Sequence, residues 1–425
     1  MISVRNLGLA ALLAASLLTG GGAHAAILDV TPEQSLAAAI EAAAPGDVLR
    51  LGPGDYAGAV VIRKAITLDA EHGAVVTGDG EASVITVDAA DVTIRGLTVT
   101  GSGLKLDEMD AGIFLTKAAR GAVVERNVLK DNLVGVYVHG APNALVKDNH
   151  IIGRTDLRLN EAGNGVHVWN APGSRIIGND IQHGRDGIFV IASRKNVFRD
   201  NRMRGLRYAV HYMYTHDSEV SGNISIENHA GFAIMYSDRL KVLGNLSISD
   251  RDKGLFLNTA NMSDIGGNVV KAAPEKCVFL YSANKNRFHD NWFEGCEIGI
   301  HFTAGSERNR IAGNAFIGNR TQVKYVGTRY LDWSDEGRGN YWSDNPAFDL
   351  NGDGLADTAY KPNDLVDEIL WLNPNAKVLL NSPAVQVVRW AQAQFPAIQP
   401  GGVIDSAPLM EPPVIAEPAW RGGAK

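Results

Sequence analysis

An asparagine that returns at a nearly fixed step constrains this chain more than any other feature. Asn127, Asn149, Asn179, Asn201, Asn223, Asn245, Asn268, Asn291 and Asn314 follow one another at intervals of 22, 30, 22, 22, 22, 23, 23 and 23 residues. About fifteen residues before each stands a second column: Gly112, Gly135, Gly165, Gly187, Ala209, Gly231, Gly254, Cys277 and Gly299. Two columns sharing one period in the twenties mark a solenoid of repeated coils.

The residues after the glycine column say which solenoid. One place past it stand Ile113, Val136, Val166, Ile188 and Val210, and three places past it Leu115, Val138, Val168, Val190 and Tyr212; the pattern runs on to Ile300 and Phe302. Period-two alternation means strands with one buried face, and successive coils must then pair in parallel. The L-x-x-L-x-L scaffold of leucine-rich repeats is absent. The fold class is therefore all-β, a right-handed parallel β-helix. The asparagines belong at a corner, where each side-chain amide donates to one neighbouring coil and accepts from the other.

The repeat claims most of the chain, so one elongated domain is expected. A formal net charge of -7 and the lack of basic runs argue against a nucleic-acid groove. Residues 1–25, with Arg5, an apolar run from Leu7 to Leu18 and Ala23-His24-Ala25, read as a Sec-type signal peptide cleaved near Ala25. No later apolar run is long enough to span a bilayer, so the expected location is the periplasm, as a chain that does not itself cross the membrane.

Pro32 to Ala44 reads as a short helix closing the first coil of a β-helix that occupies 26–329, with Gly96 standing where Asn127 stands one coil later. Two insertions, Gly101 to Asp110 and Gly153 to Glu161, leave the barrel as loops of the kind partners touch. Cys277 and Cys296 are nearly one coil apart and so placed for a disulfide in an exported chain, yet Cys277 also fills the glycine column as a small buried residue; both readings stand. Residues 330–374 form a Trp-, Asp- and Gly-rich cap. In it Asp349, Asn351, Asp353, Gly354 and Asp357 occupy positions 1, 3, 5, 6 and 9 of a calcium loop, with Tyr360 where the carboxylate of position 12 belongs. Calcium and an ordinary tight turn both fit. Residues 375–425 hold a helix from Ala384 to Phe395 and a proline-rich arm, extended and either disordered or laid on a partner.

Register also fixes what points outward. Two places past the glycine column stand Phe114, Tyr137, His167, Phe189, His211, Phe256 and His301; four places past it stand His139, Trp169, Met213 and Met235. A strip so rich in rings and thioethers reads as a docking face, with His139, His167, Trp169, Tyr214, Tyr236 and Phe256 as its contact residues. Met235 lies one coil above Met213, and His211 two residues before it, a thioether and imidazole set suited to Cu(I), with His216 as a further donor. The competing reading is a polysaccharide-active β-helix, a uronan lyase or C5-epimerase, drawing on Asp186, Arg207 and His211.

The signal peptide, the capping helix, the two columns, the run from Tyr208 to Gly222, the segment from Gly339 to Asp344 and the tail near Asp405 to Met410 resemble the NosD family. These are periplasmic β-helix proteins of the copper maturation system for nitrous-oxide reductase. The resemblance implies an ABC transporter permease with its ATPase, a copper-chaperone lipoprotein and apo nitrous-oxide reductase as partners, and copper as cargo. It brings no catalytic motif, so no activity is expected.

Overall fold

The computed structural model describes residues 25–303, 305–327, 329–379, 382–394 and 402–418. The segment read as a signal peptide lies outside them, save for Ala25. Each coil contributes three short strands, for example Val197–Arg199, Arg202–Arg204 and Tyr208–Met213. Stacked coil on coil, these become three parallel sheets, here A, B and C in that order, of 13, 13 and 12 strands. The chain is the expected right-handed parallel β-helix.

The inward residues fill its bore. Tyr212, Phe198, Phe232, Phe288, Phe293 and Phe316 are fully buried there. The glycine column has a steric cause: a Cβ on Gly135, Gly187 or Gly231 would come within 2.4, 2.6 or 2.5 Å of the next coil's carbonyl oxygen. The asparagine column is a hydrogen-bonded ladder in which each Nδ2 donates to the Oδ1 of the next coil's asparagine at 2.7–3.0 Å. Buried amides are costly unless paired, and this pairing satisfies them along the whole solenoid.

The ladder is longer than its period shows. Asn314 donates to a tenth member, Asn340, 26 residues on, and Asn340 gives its backbone N–H to Asp405 Oδ2 at 2.7 Å. Trp342 Nε1 donates to the same oxygen at 2.8 Å. A carboxylate from the C-terminal arm thus ends the ladder. Gly339 makes room for it, since a Cβ there would lie 1.8 Å from Asp405 Oδ1. At the other end the asparagine position falls on buried Leu97, one residue after the expected Gly96, with Leu97 N donating to Asn127 Oδ1.

The N-terminal cap is the helix Leu36–Ala42, N-capped by Ser35 and burying Leu36 and Ile40. Cys277 and Cys296 are both buried and joined, with Cα atoms 5.7 Å apart. The two inserted loops converge: Leu106 and Met109 of the first and Leu157 of the second pack on one small cluster formed by Ala111, Leu133, Val134 and Tyr137.

The proline-rich arm departs from expectation. Beyond the helix Pro383–Gln394, and past residues 395–401, which lie outside the described set, it is tied to the protein's own barrel. Gly402–Ile404 pairs with Tyr330–Asp332, Val403, Asp405 and Leu409 are buried, and Ile415 reaches back to Ile224, Leu246 and Val269 on sheet B. Proline content correctly signals an extended backbone, but apolar residues spaced along it give the arm enough burial to dock.

Candidate functional site

The outer face of sheet C carries the predicted columns in the predicted register. Phe189 lies beside His211, Ile191 beside Met213, and Met213 beside Met235. Rings contact one another along the first column: Phe114 stacks on Tyr137 at 5.1 Å and Phe256 on Phe279 at 5.3 Å, while Phe189 meets His167 edge-on and His211 at a tilt, at 4.8 Å each. In the second column His139 stacks on Trp169 at 4.5 Å. Such aromatic pairs at coil spacing reinforce the parallel ladder.

His211 is the most constrained group on this face. Asp186, one residue before the glycine column and 1% exposed, receives Arg207 Nε at 2.8 Å and Arg207 Nη2 at 2.5 Å. His211 Nδ1 lies 3.1 Å from Asp186 Oδ2 and 3.3 Å from Arg207 Nη2. The carboxylate is the nearer and stronger partner, which puts the proton on Nδ1 and leaves Nε2 with its lone pair. Nε2 is buried and has no hydrogen-bond partner. Burial pushes the Asp186 carboxyl up, but the bonds from His211 and Arg207 prevail and hold it below the ordinary carboxylate range. Arg207 also lies over the Tyr208 ring, 4.5 Å from its centroid.

A carboxylate-oriented imidazole with a free Nε2 is the arrangement metal-binding histidines use. Here it stands two residues from Met213 on the same outer face, and Met213 abuts Met235. The donor set therefore fits a soft cation, and an orphaned buried nitrogen marks where one would sit. His216 is not brought onto this face. It lies beyond the corner after sheet C, and its Nδ1 accepts the Asp238 N–H at 3.1 Å. Among the described residues there is no cluster of three or more His, Cys, Asp or Glu side chains placed to hold a metal.

Three further imidazoles share the face, among them His301, whose pKa burial lowers to about 4 and whose Nδ1 is likewise buried without a hydrogen-bond partner. His167 is 4% exposed, and burial lowers its pKa to about 4. His139 takes a 2.7 Å contact between its Nδ1 and Tyr137 Oη. At the rim, Tyr214 and Tyr236 stack at 5.1 Å, 49% and 40% exposed, with φ of +48° and +50°. The left-handed φ belongs to this corner rather than to these two coils, since Asn170, Ala192, Thr259 and Ser282 adopt it at the equivalent place in neighbouring coils.

The Asp349 loop closes on itself. Asp349 accepts from Gly352 N at 2.6 Å and Gly354 N at 2.8 Å, and Asp357 accepts from Leu350 N at 2.7 Å. Tyr360 turns away to donate to Asp344.

Sequence reading missed an apolar strip on sheet B. Ile224, Leu246 and Val269 point outward yet are 7%, 5% and 2% exposed, beneath Ile415 and beside Trp292. Three-residue strands are too short for alternation to declare such a strip.

Comparison with known proteins is consistent with these features. The family model described as periplasmic copper-binding protein (NosD) matches residues 147–347. A probable ABC transporter binding protein NosD of Pseudomonas aeruginosa is 42% identical over 381 residues, covering 87% of this chain and 89% of that one. Its counterpart in Stutzerimonas stutzeri is 38% identical, covering 86% and 87%. Among solved structures, an exopolygalacturonase from Thermotoga maritima superposes with a TM-score of 0.54 at 10% identity, over 71% of this chain and 92% of that one, a likeness of fold alone.

Proposed function

The chain belongs to the NosD family of periplasmic copper-binding proteins, and from that premise we propose that it is a non-catalytic scaffold and copper relay serving the assembly of the copper sites of nitrous-oxide reductase. It works in the periplasm beside an ABC transporter permease and its ATPase, takes copper from a chaperone lipoprotein and offers it to the apo reductase. The names of its relatives support the transporter association. Copper is cargo here, and the chain's own part is to hold it and to seat the proteins that exchange it.

One observation carries the metal assignment: His211 Nε2 is buried without a partner while Asp186 holds Nδ1. His211, Met213 and Met235 supply one nitrogen and two thioethers, a set that favours Cu(I) over hard cations. Asp186 and Arg207 orient the imidazole. Trp169, Tyr214, Tyr236, Phe256, His139 and His167 form the surrounding docking face.

Anaerobic Cu(I) titration against a competing chelator tests this. The combined variant His211→Ala, Met213→Ala, Met235→Ala is expected to lose about a hundredfold in affinity. Unchanged affinity removes the site.

The meeting of Asp186, Arg207, His211 and Tyr208 gives the lyase or epimerase reading its one structural support. Yet the Asp186 carboxylate is spent on its neighbours and closed to a sugar. Formation of unsaturated uronate from alginate or pectate would reverse the ranking.

A further inference from the structure

The corner that leads from sheet C to sheet A carries its own column. Lys195, Asp217, Arg239, Met262, Lys285 and Arg308 all adopt φ between +53° and +58°. They stack coil on coil: Arg239 N donates to Asn261 O, Met262 N to Asn284 O, and Lys285 N to Glu307 O. Within the column Asp217 neutralises Arg239 through paired bonds of 2.5 and 3.1 Å.

Two coils further on the charge balance fails. Lys285 stands one coil from Arg308, a spacing of about 4.8 Å between strands, and among the described residues neither has a carboxylate within ion-pair distance. The nearby acids are engaged elsewhere. Glu307 receives Arg329 at 3.0 Å, and Asp238 receives Asn261 Nδ2 at 2.9 Å. Like charges stacked on a ladder repel, so this pair is a stored demand for an anion. Beside it Met262 is 46% exposed, in a column otherwise made of charged residues. Lys285, Arg308, Met262, Asn261 and Asn284 line one cavity of about 390 Å³ together with the same Asp238 and Glu307, whose carboxylates are held by Asn261 and Arg329. Its neighbours on the same edge are Tyr236 and Tyr281, 40% and 52% exposed. Tyrosine, methionine and arginine are what the centre of a protein interface uses.

We propose that this corner cavity receives a carboxylate side chain from an acidic segment of a protein partner, clamped by Lys285 and Arg308 with its aliphatic part against Met262. The inference extends the docking role given above and does not require copper. It gives the partner a stated chemistry: carboxylates set beside an apolar contact, approaching a cationic edge on a chain whose formal net charge is -7. Association of this kind is steered by charge and weakened by salt.

The test uses the full chain and a fluorescein-labelled peptide of glutamates flanking one methionine, followed by anisotropy at low ionic strength, with a glutamine-for-glutamate peptide as control. Saturable binding of the glutamate peptide is expected, reduced about tenfold or more by Lys285→Glu with Arg308→Glu. The distant Lys130→Glu should leave it unchanged, and the double variant should keep full Cu(I) affinity. Equal binding of the glutamine peptide, unchanged binding by the double variant, or no saturable binding overturns the inference. A chain that binds this peptide at the corner yet fails to bind Cu(I) removes the copper reading alone.

Discussion

Sheets B and C both turn apolar columns outward, and they treat them in opposite ways. On sheet B, Ile224, Leu246 and Val269 lie beneath the chain's own arm, which Ile415 and the Lys271–Glu417 pair hold in place. On sheet C, rings, thioethers and imidazoles cross nine coils, and among the described residues no segment is laid over Trp169, Tyr214 or Tyr281, which are 39%, 49% and 52% exposed. An outward apolar strip is therefore not in itself a sign of a partner, since a chain can cover its own. What distinguishes sheet C is that its strip stays open and contains a buried, oriented nitrogen with nothing bonded to it.

The sharpest way to break this contrast is to remove Asp186. Asp186→Ala would leave the Arg207 guanidinium and the His211 Nδ1–H without their shared acceptor, and loss of one partner from a buried ion pair costs about 3–5 kcal/mol. Chemical denaturation should show that loss together with weakened Cu(I) binding. Asp186→Asn should recover part of the stability while disturbing the tautomer of His211. A stability change under about 1 kcal/mol for the alanine variant would mean the cluster is not the buried network described.

Sheet B should respond more mildly. Ending the chain after Met410 removes Ile415 and Glu417 and uncovers Ile224, Leu246 and Val269, a cost of about 2 kcal/mol from lost apolar burial. The exposed ion pair adds little. Binding of a hydrophobic dye should rise, and Cu(I) affinity should not change. If truncation instead abolishes copper binding, the two faces are not independent.

Acid should separate the faces again, because the histidines that burial holds neutral, His167 and His301, both lie on sheet C. His167 has a folded pKa of about 4 against 6.5 when exposed, so the unfolded chain binds the proton first. Its stability contribution is complete above pH 6.5 and declines by about 1.4 kcal/mol per pH unit down to pH 4. Asp186, whose carboxyl is also depressed, adds a loss at lower pH, below its exposed value of 3.8. His167→Gln should lessen the dependence between pH 6.5 and 4, measured as the denaturation midpoint, leaving the share that His301 contributes over the same window. An unaltered slope would show that His167 is not held neutral.

The coil period, the inward and outward columns and the asparagine ladder were legible because each is set by local spacing. Asn340 escaped because its coil is lengthened and breaks the period, and Asp405 because it completes the ladder from 65 residues away. The cluster around His211 was half legible. Asp186, Arg207 and His211 stood out as candidates for catalysis, but only their separations of 21 and 25 residues folded into adjacent coils show the carboxylate saturated and the imidazole oriented. Composition made the arm look free, whereas the apolar residues that dock it are too sparse to register as an element.

The most direct test of the central claim is X-ray absorption spectroscopy of the Cu(I)-loaded chain. A mixed shell of one imidazole nitrogen and two sulfur scatterers is predicted, with sulfur lost in Met213→Leu with Met235→Leu and nitrogen lost in His211→Ala. A shell of nitrogen and oxygen alone, or one unaltered by these substitutions, would contradict the assignment of copper to the outer face of sheet C.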